Sequence, residues 1–230
     1  MEKYTVLKEL ARYPLFSIGD YTRLTGKDAA YSRLFLHRLN KEGIIHRIER
    51  GKYTVHEDPM IFASRIRVPS YLSFWSALRF YDLTEQLPKN LMIASPHRAG
   101  SINFQGTKIE FYRMRFMWGY KKTRYSGKDI FIAEKEKVVI DCLLLMNTPY
   151  DEVYKAITSG ELDSKKLALY AIRTANVSLM KRLGFLLKTA GQDAGDLEKH
   201  TDYNYIPLDW GKAAKGKKDP EWKIIMNKVI

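Results

Sequence analysis

Pro14, Gly26, Gly43 and Gly51 cut the first 56 residues into pieces too short for long helices or a broad sheet. That punctuation limits the fold more than any other feature of the chain. "KYTVLKELAR" (3–12) places Val6, Leu7 and Leu10 on one helical face, and Pro14 ends that helix. In "FSIGDYTRLTG", Ser17 is an N-cap, Ile18, Tyr21 and Leu24 recur at helical spacing, and Gly26 is a stop signal. "KDAAYSRLFLHRLNKEG" (27–43) predicts a third helix, with Phe35, Leu36 and Leu39 toward a core and Gly43 closing its C-terminus. "GIIHRIERGKYTV" (43–55) then predicts a hairpin, with Ile44, Ile48, Tyr53 and Val55 as its apolar face and Gly51 as its corner.

Three short helices and a hairpin, in that order, predict a winged helix-turn-helix over residues 1–58. The third helix of such a domain enters a DNA major groove, N-terminal end first. Its outward positions include Lys27, Tyr31, Arg33, Leu34, His37 and Arg38. Arg33 suits a guanine edge or a phosphate. Arg47, Arg50 and Lys52 lie on or near the wing tip, where an arginine meets phosphate or enters a narrow minor groove. Residues 1–56 hold eleven Lys/Arg against six Asp/Glu, a net +5. Many small basic helical domains bind only protein. The helix order, the wing and its basic tip together favour DNA.

The whole chain of 230 residues carries +13. Such an excess calls for an anionic partner, nucleic acid or a membrane surface. The longest apolar stretch, Val138–Met146, is interrupted by Asp141 and far too short to span a bilayer. The opening "MEKYTVLKEL" breaks its apolar residues with charges, unlike a secretory signal. The single cysteine, Cys142, excludes an intrachain disulfide and a Cys-rich zinc site. The expectation is a cytoplasmic protein with no membrane partner.

Past residue 56, "HEDPMIFASRIRVPS" (56–70) predicts a passage between domains with a short helix at 59–65. Ser70 is a good N-cap for an aromatic-rich helix, "YLSFWSALRFYDL", which breaks by Pro88. Strand candidates follow at 90–95, at 101–116 as a hairpin around Gly106, and at 128–133. Four helical stretches come next, with Asp163 and Asn176 as N-caps and Gly191 as a stop. The end resembles two strands around a basic loop. Strands first and helices afterwards predict an α+β fold, a short mixed or antiparallel sheet with packed helices over 59–230, rather than a parallel βαβ arrangement.

Six stretches in this order resemble the AbiEi family of antitoxins, from type IV toxin–antitoxin and phage-defence systems. They are "RLNKEGIIHRIERGKYTV" (38–55), "YLSFWSALRFYDLTEQLP" (71–88), "IEFYRMRFMWGY" (109–120), "IAEKEKVVIDCLL" (132–144), "LMKRLGFLLKTAG" (179–191) and a "YIPLDW…G…EW" ending. The resemblance implies an N-terminal winged helix that binds inverted repeats in its own promoter and represses the operon. It also implies a C-terminal domain that counters a nucleotidyltransferase-type toxin. Arg47, Arg50, Gly51, Lys52 and Tyr53 match the family's wing pattern. No catalytic motif of the family maps onto the chain. The alternatives are a stand-alone winged-helix regulator with a ligand- or protein-binding second domain, and a metal-dependent nuclease.

A nuclease would draw on Glu134, Glu136 and Asp141 in "AEKEKVVID". There, however, Glu134 is followed two places on by Glu136 rather than Lys, and the segment opens a helix, where acids favour the dipole. His37, His46, His56, His97 and His200 are scattered without metal-ligand spacing. No phosphate-binding glycine loop and no Gly-x-Ser-x-Gly occurs. No catalytic residue, metal or cofactor is expected. Residues 57–230 are basic too, with 28 bases against 20 acids. Lys121, Lys122, Arg124 and Lys128 form a candidate second basic surface, and "GKAAKGKK" (211–218) holds four more lysines. Both are either nucleic-acid surfaces or solvated loops.

Overall fold

The computed structural model describes residues 3–228. The first elements are α1 (Lys3–Leu10), β1 (Phe16–Ser17), α2 (Ile18–Thr25), α3 (Ala29–Lys41), β2 (His46–Glu49) and β3 (Lys52–Thr54). Local chemistry sets their ends. The Ser17 hydroxyl accepts from the Asp20 N–H, and the Asp20 carboxylate accepts from the Ser17 N–H at 2.7 Å, a reciprocal capping box. Gly26 adopts φ +69° at the end of α2, a left-handed conformation in which a side chain would be strained. Asp28 caps α3 by accepting from the Tyr31 N–H at 2.8 Å.

β2 and β3 form the expected hairpin, antiparallel and irregular between Arg47 and Glu49. β1 adds a third strand through Phe16 opposite Tyr53, giving the order β1-β3-β2. That strand is not visible in sequence because two residues show no alternation. Val6, Leu10, Phe16, Tyr21, Leu36, Leu39, Ile45 and Tyr53 make one core. Ile45, rather than Ile44, is the fully buried residue at the start of the hairpin.

The later elements are β4 (Tyr71–Leu72), α4 (Phe74–Phe80), β5 (Asn90–Ser95), β6 (Gly100–Phe104), β7 (Thr107–Arg113), β8 (Tyr120–Tyr125) and β9 (Lys128–Ala133). They are followed by α5 (Lys135–Leu145), α6 (Tyr150–Thr158), α7 (Ser164–Thr174), α8 (Val177–Thr189), β10 (Ile206–Pro207), β11 (Lys217–Asp219) and β12 (Ile224–Met226). The protein is α+β. It forms two compact units, and the sequence-based division at residue 58 does not coincide with them. One unit runs to Leu72 and includes Lys89–Ile132. The other comprises Ser73–Pro88 and the chain from Ala133 onward.

In the first unit, a six-stranded mixed sheet has the order β6-β7-β5-β4-β9-β8. β5 pairs parallel with β7, and β4 pairs antiparallel with β5 and parallel with β9. The expected linker 56–70 is part of this unit's interior. Ile61, Phe62, Ala63 and Ile66 are buried, and two 3-10 turns, Pro59–Ile61 and Ala63–Arg65, replace the single helix expected there. Tyr71 and Leu72 form an inner strand instead of the first turn of a helix, and the helix starts after Ser73. A short strand buried on both faces is a continuous apolar run, and periodicity cannot tell it from a helix. β8 is not visible in the sequence either: it is an edge strand whose lysines and arginine interrupt any apolar pattern, as edge strands commonly do.

The second unit holds α4 to α8, a 3-10 turn at Gly195–His200 and a small sheet, β10-β12-β11. Asp163 and Asn176 cap α7 and α8 as expected. α8 is its spine, buried from Leu179 to Leu187. A Cβ at Gly184 would lie 2.0 Å from the Trp222 ring, so this helix position has room only for glycine. Within α5, Lys137 and Asp141 form a fully buried ion pair, and the Ser73 hydroxyl donates to the same carboxylate at 2.8 Å. Burial lowers the Lys137 pKa, and Asp141 opposes that shift.

Candidate nucleic-acid interface

α3 is 13 residues long, about 20 Å at the usual rise. Lys27, Tyr31, Arg33, Leu34, His37 and Arg38 are all exposed on or just before it, while Ser32, Leu36 and Leu39 are buried. A groove of about 730 Å³ lies between α3 and the hairpin. Arg33 and His37 line it from α3, Arg47, Arg50 and Gly51 from the hairpin, with Ile18 and Tyr53 between. The Asn40 side-chain oxygen accepts from the Arg47 N–H at 2.8 Å, tying the end of α3 to β2. Nothing local in the sequence marks Asn40 for this role, because its partner lies across a turn. Gly51, at φ +79°, makes the tight corner beside Arg50.

None of Lys27, Arg33, Arg38, Arg47 and Arg50 pairs with a carboxylate among the described residues. Lys27 sits 5.6 Å from the Tyr31 ring centroid, and that ring stacks on Phe35. Lys52 differs. Its ammonium donates to the Ile66 carbonyl and to Glu49, and Glu49 also pairs with Arg67 at 3.4 Å. Lys52 therefore ties the hairpin to the unit's interior. His46 is likewise engaged, edge-on to Phe104 with ring centroids 5.5 Å apart.

The candidate second surface is arranged otherwise. Lys122 and Arg124 both pair with Asp129, at 3.0 and 3.3 Å. Hydrogen bonding from Lys122, then from Arg124, holds the Asp129 carboxyl below its usual range despite the opposing desolvation. The Lys128 ammonium donates to the Ala11 carbonyl at 2.5 Å. Lys121 is exposed on β8. An adjacent cleft of about 430 Å³ also takes in Arg12, which pairs with Glu9, and Arg65, which donates to the Asp129 carbonyl.

The three acids considered for a nuclease are divided. Glu134 and Glu136 share Lys166, at 3.1 and 2.9 Å, whereas Asp141 belongs to the buried pair with Lys137. Burial alone would lower the Lys166 pKa, but hydrogen bonds to Glu136 and Glu134 raise it overall. Tyr81 donates to the Ala133 carbonyl, and burial plus the charges of Glu134 and Glu136 push its pKa up to about 12. Cys142 is buried, and burial pushes its thiol up to about 12. Among the described residues, no group of three or more His, Cys, Asp or Glu side chains is placed to hold a metal ion, and no helix is long and apolar enough to cross a membrane.

No protein-family model matches the chain, and no curated protein matches it either.

Proposed function

We propose that residues 1–58 are a winged helix-turn-helix that binds duplex DNA, with α3 in the major groove and the Arg50–Gly51 corner over the neighbouring backbone or minor groove. The observation that carries this reading is the groove between α3 and the hairpin, flanked by arginines without carboxylate partners. Arg33 and His37 would meet base edges or phosphate, and the exposed Leu34 would suit a thymine methyl. Arg38, Arg47 and Arg50 would supply the sequence-independent phosphate contacts.

The further proposal is an antitoxin of the AbiEi type. It would bind inverted repeats in its own promoter, block transcription sterically, and counter a nucleotidyltransferase-type toxin through the rest of the chain. The six ordered stretches quoted above support it. Gel shifts with the chain's own upstream region test the DNA half. Four or five phosphate contacts imply that log K falls with log salt at a slope of roughly −4. Arg33→Ala combined with Arg50→Ala should weaken binding about 30-fold or more, with the melting temperature unchanged. An unchanged affinity would remove the DNA assignment. Co-expression with the neighbouring toxin gene tests the other half. Continued growth arrest would leave a plain transcription regulator.

A further inference from the structure

The segment that leaves β10 and runs into β11 is the strongest basic feature outside the groove beside α3. Residues 211–218 are exposed without interruption. They include Lys212, Lys215, Lys217 and Lys218. Among the described residues none of these four has a carboxylate partner. The acids nearest in sequence are committed elsewhere. Asp209 accepts from the Gly211 N–H and faces Lys228, Asp219 accepts from the Trp222 N–H, and Glu221 pairs with Lys188. Positive charge is therefore left uncompensated.

The loop is also rigidly built. The Asn227 side-chain amide donates to the carbonyls of Asp209, Lys212 and Ala213, and its oxygen accepts from the Asp209 N–H at 2.8 Å. Gly216 passes so close to β12 that a Cβ would lie 2.1 Å from the Met226 carbonyl oxygen. A loop of merely solvated lysines needs no such pinning.

Two tyrosines lie just before β10, and one of them, Tyr205, adjoins the basic segment at Lys218. Tyr203 is 83% exposed. The residues on either side of it are anchored from below by the buried Lys181 ammonium, which pairs with Asp202 and donates to the Asn204 carbonyl at 2.5 Å. Tyr205 lies 4.8 Å from Lys218 and 5.9 Å from Lys223, measured from its ring centroid. Cations on a held backbone beside exposed aromatic rings are what a single strand needs: phosphates track the cations and unpaired bases stack on the rings. A duplex offers no free base face, and an acidic polypeptide offers nothing to stack.

We propose that the Tyr203–Tyr205 segment and the 211–218 loop form a binding surface for single-stranded nucleic acid, separate from the duplex groove. The test uses the full chain carrying Arg33→Ala and Arg50→Ala, so that failure of the duplex reading does not decide the outcome. The probe is a fluorescein-labelled oligouridylate of about 12 nucleotides, read by anisotropy, with a duplex of equal length as comparison. The Lys212→Glu, Lys215→Glu, Lys217→Glu combination should weaken oligouridylate binding by about tenfold or more. Tyr203→Ala should weaken it roughly fivefold, because one base loses its stacking ring, and should leave duplex binding alone. The three lysine-to-glutamine changes repeat the measurement if the charge reversals fail to fold. Affinity unchanged by the lysine changes would overturn the proposal. So would an equal loss for oligouridylate and duplex in Tyr203→Ala, or polyglutamate binding as tight as oligouridylate.

Discussion

The groove beside α3 and the hairpin at 119–128 are both rich in cations, and both belong to the first unit. Their charges have different fates. Arg33, Arg47 and Arg50 face a groove with no carboxylate partner, while Lys122 and Arg124 converge on Asp129 and Lys128 is spent on a backbone carbonyl. A surface ion pair contributes little to stability, but it removes field from solution and orders both side chains. The count of lysines and arginines thus overstates the charge available to a polyanion. What matters is which cations the fold leaves without an internal acid. By the same criterion the lysines at 212–217 belong with the groove.

The sharpest way to break this contrast is a matched pair of double reversals. Arg47→Glu with Arg50→Glu should lower duplex affinity about 100-fold or more at low salt, since two attractive phosphate contacts become repulsive. Lys122→Glu with Arg124→Glu should change it much less, by under about tenfold, because Asp129 already offsets part of their charge and holds both side chains. Equal losses in the two gel-shift titrations would abolish the distinction.

A smaller effect comes from unmasking. Asp129→Asn removes the shared partner of Lys122 and Arg124. It should raise non-specific duplex affinity by roughly two- to fivefold and steepen the salt dependence by about one unit of slope. No gain would mean that the 119–128 surface faces away from the bound duplex, and the masking would then be irrelevant to binding.

The smallest effect is on stability, in the segment after α1 that Lys128 and His56 both reach. The His56 Nε2 contacts the Tyr13 carbonyl at 3.1 Å. Burial lowers the His56 pKa, and the Lys128 charge adds to that despite the hydrogen bond. The unfolded chain therefore takes up a proton at higher pH than the folded one. The contribution is present above the ordinary histidine value near 6.5 and is lost as the pH falls through and below it. The melting temperature should drop modestly between about pH 7 and pH 5, and His56→Gln should flatten that drop. An identical pH profile in the variant would place the titration elsewhere.

Much of the first unit's beginning was legible. Ser17, Gly26, Gly43 and Gly51 act on neighbours within a few residues, so their turns and caps can be read along the chain. The same holds for Asp163 and Asn176 in the second unit. Four features were not legible. β1 is too short to show a pattern, β4 is apolar on both faces, β8 is charged because it lies at a sheet edge, and 56–70 reads as a linker although its apolar residues fill the interior. Of the residues the sequence offered as DNA contacts, the fold gathers Arg33, His37, Arg47 and Arg50 around one groove. The sequence also grouped Lys52 with them, although the fold engages that ammonium with Glu49 and the Ile66 carbonyl.

By itself the sequence determined the order of the short helices, the hairpin and its glycine corner, the α+β character and the excess of positive charge. These depend on dihedral preferences, capping and composition, which act over a few residues or over none. Only the tertiary structure decided which cations are neutralised, that β4 completes a six-stranded sheet, and that Asn227 and Lys181 pin a basic loop and its tyrosines. Those outcomes need partners that come from other parts of the chain: Ile132 lies 60 positions after its strand partner Leu72, and Lys128 lies 117 positions after Ala11. An ion pair or a strand register becomes defined only when folding brings its two halves together.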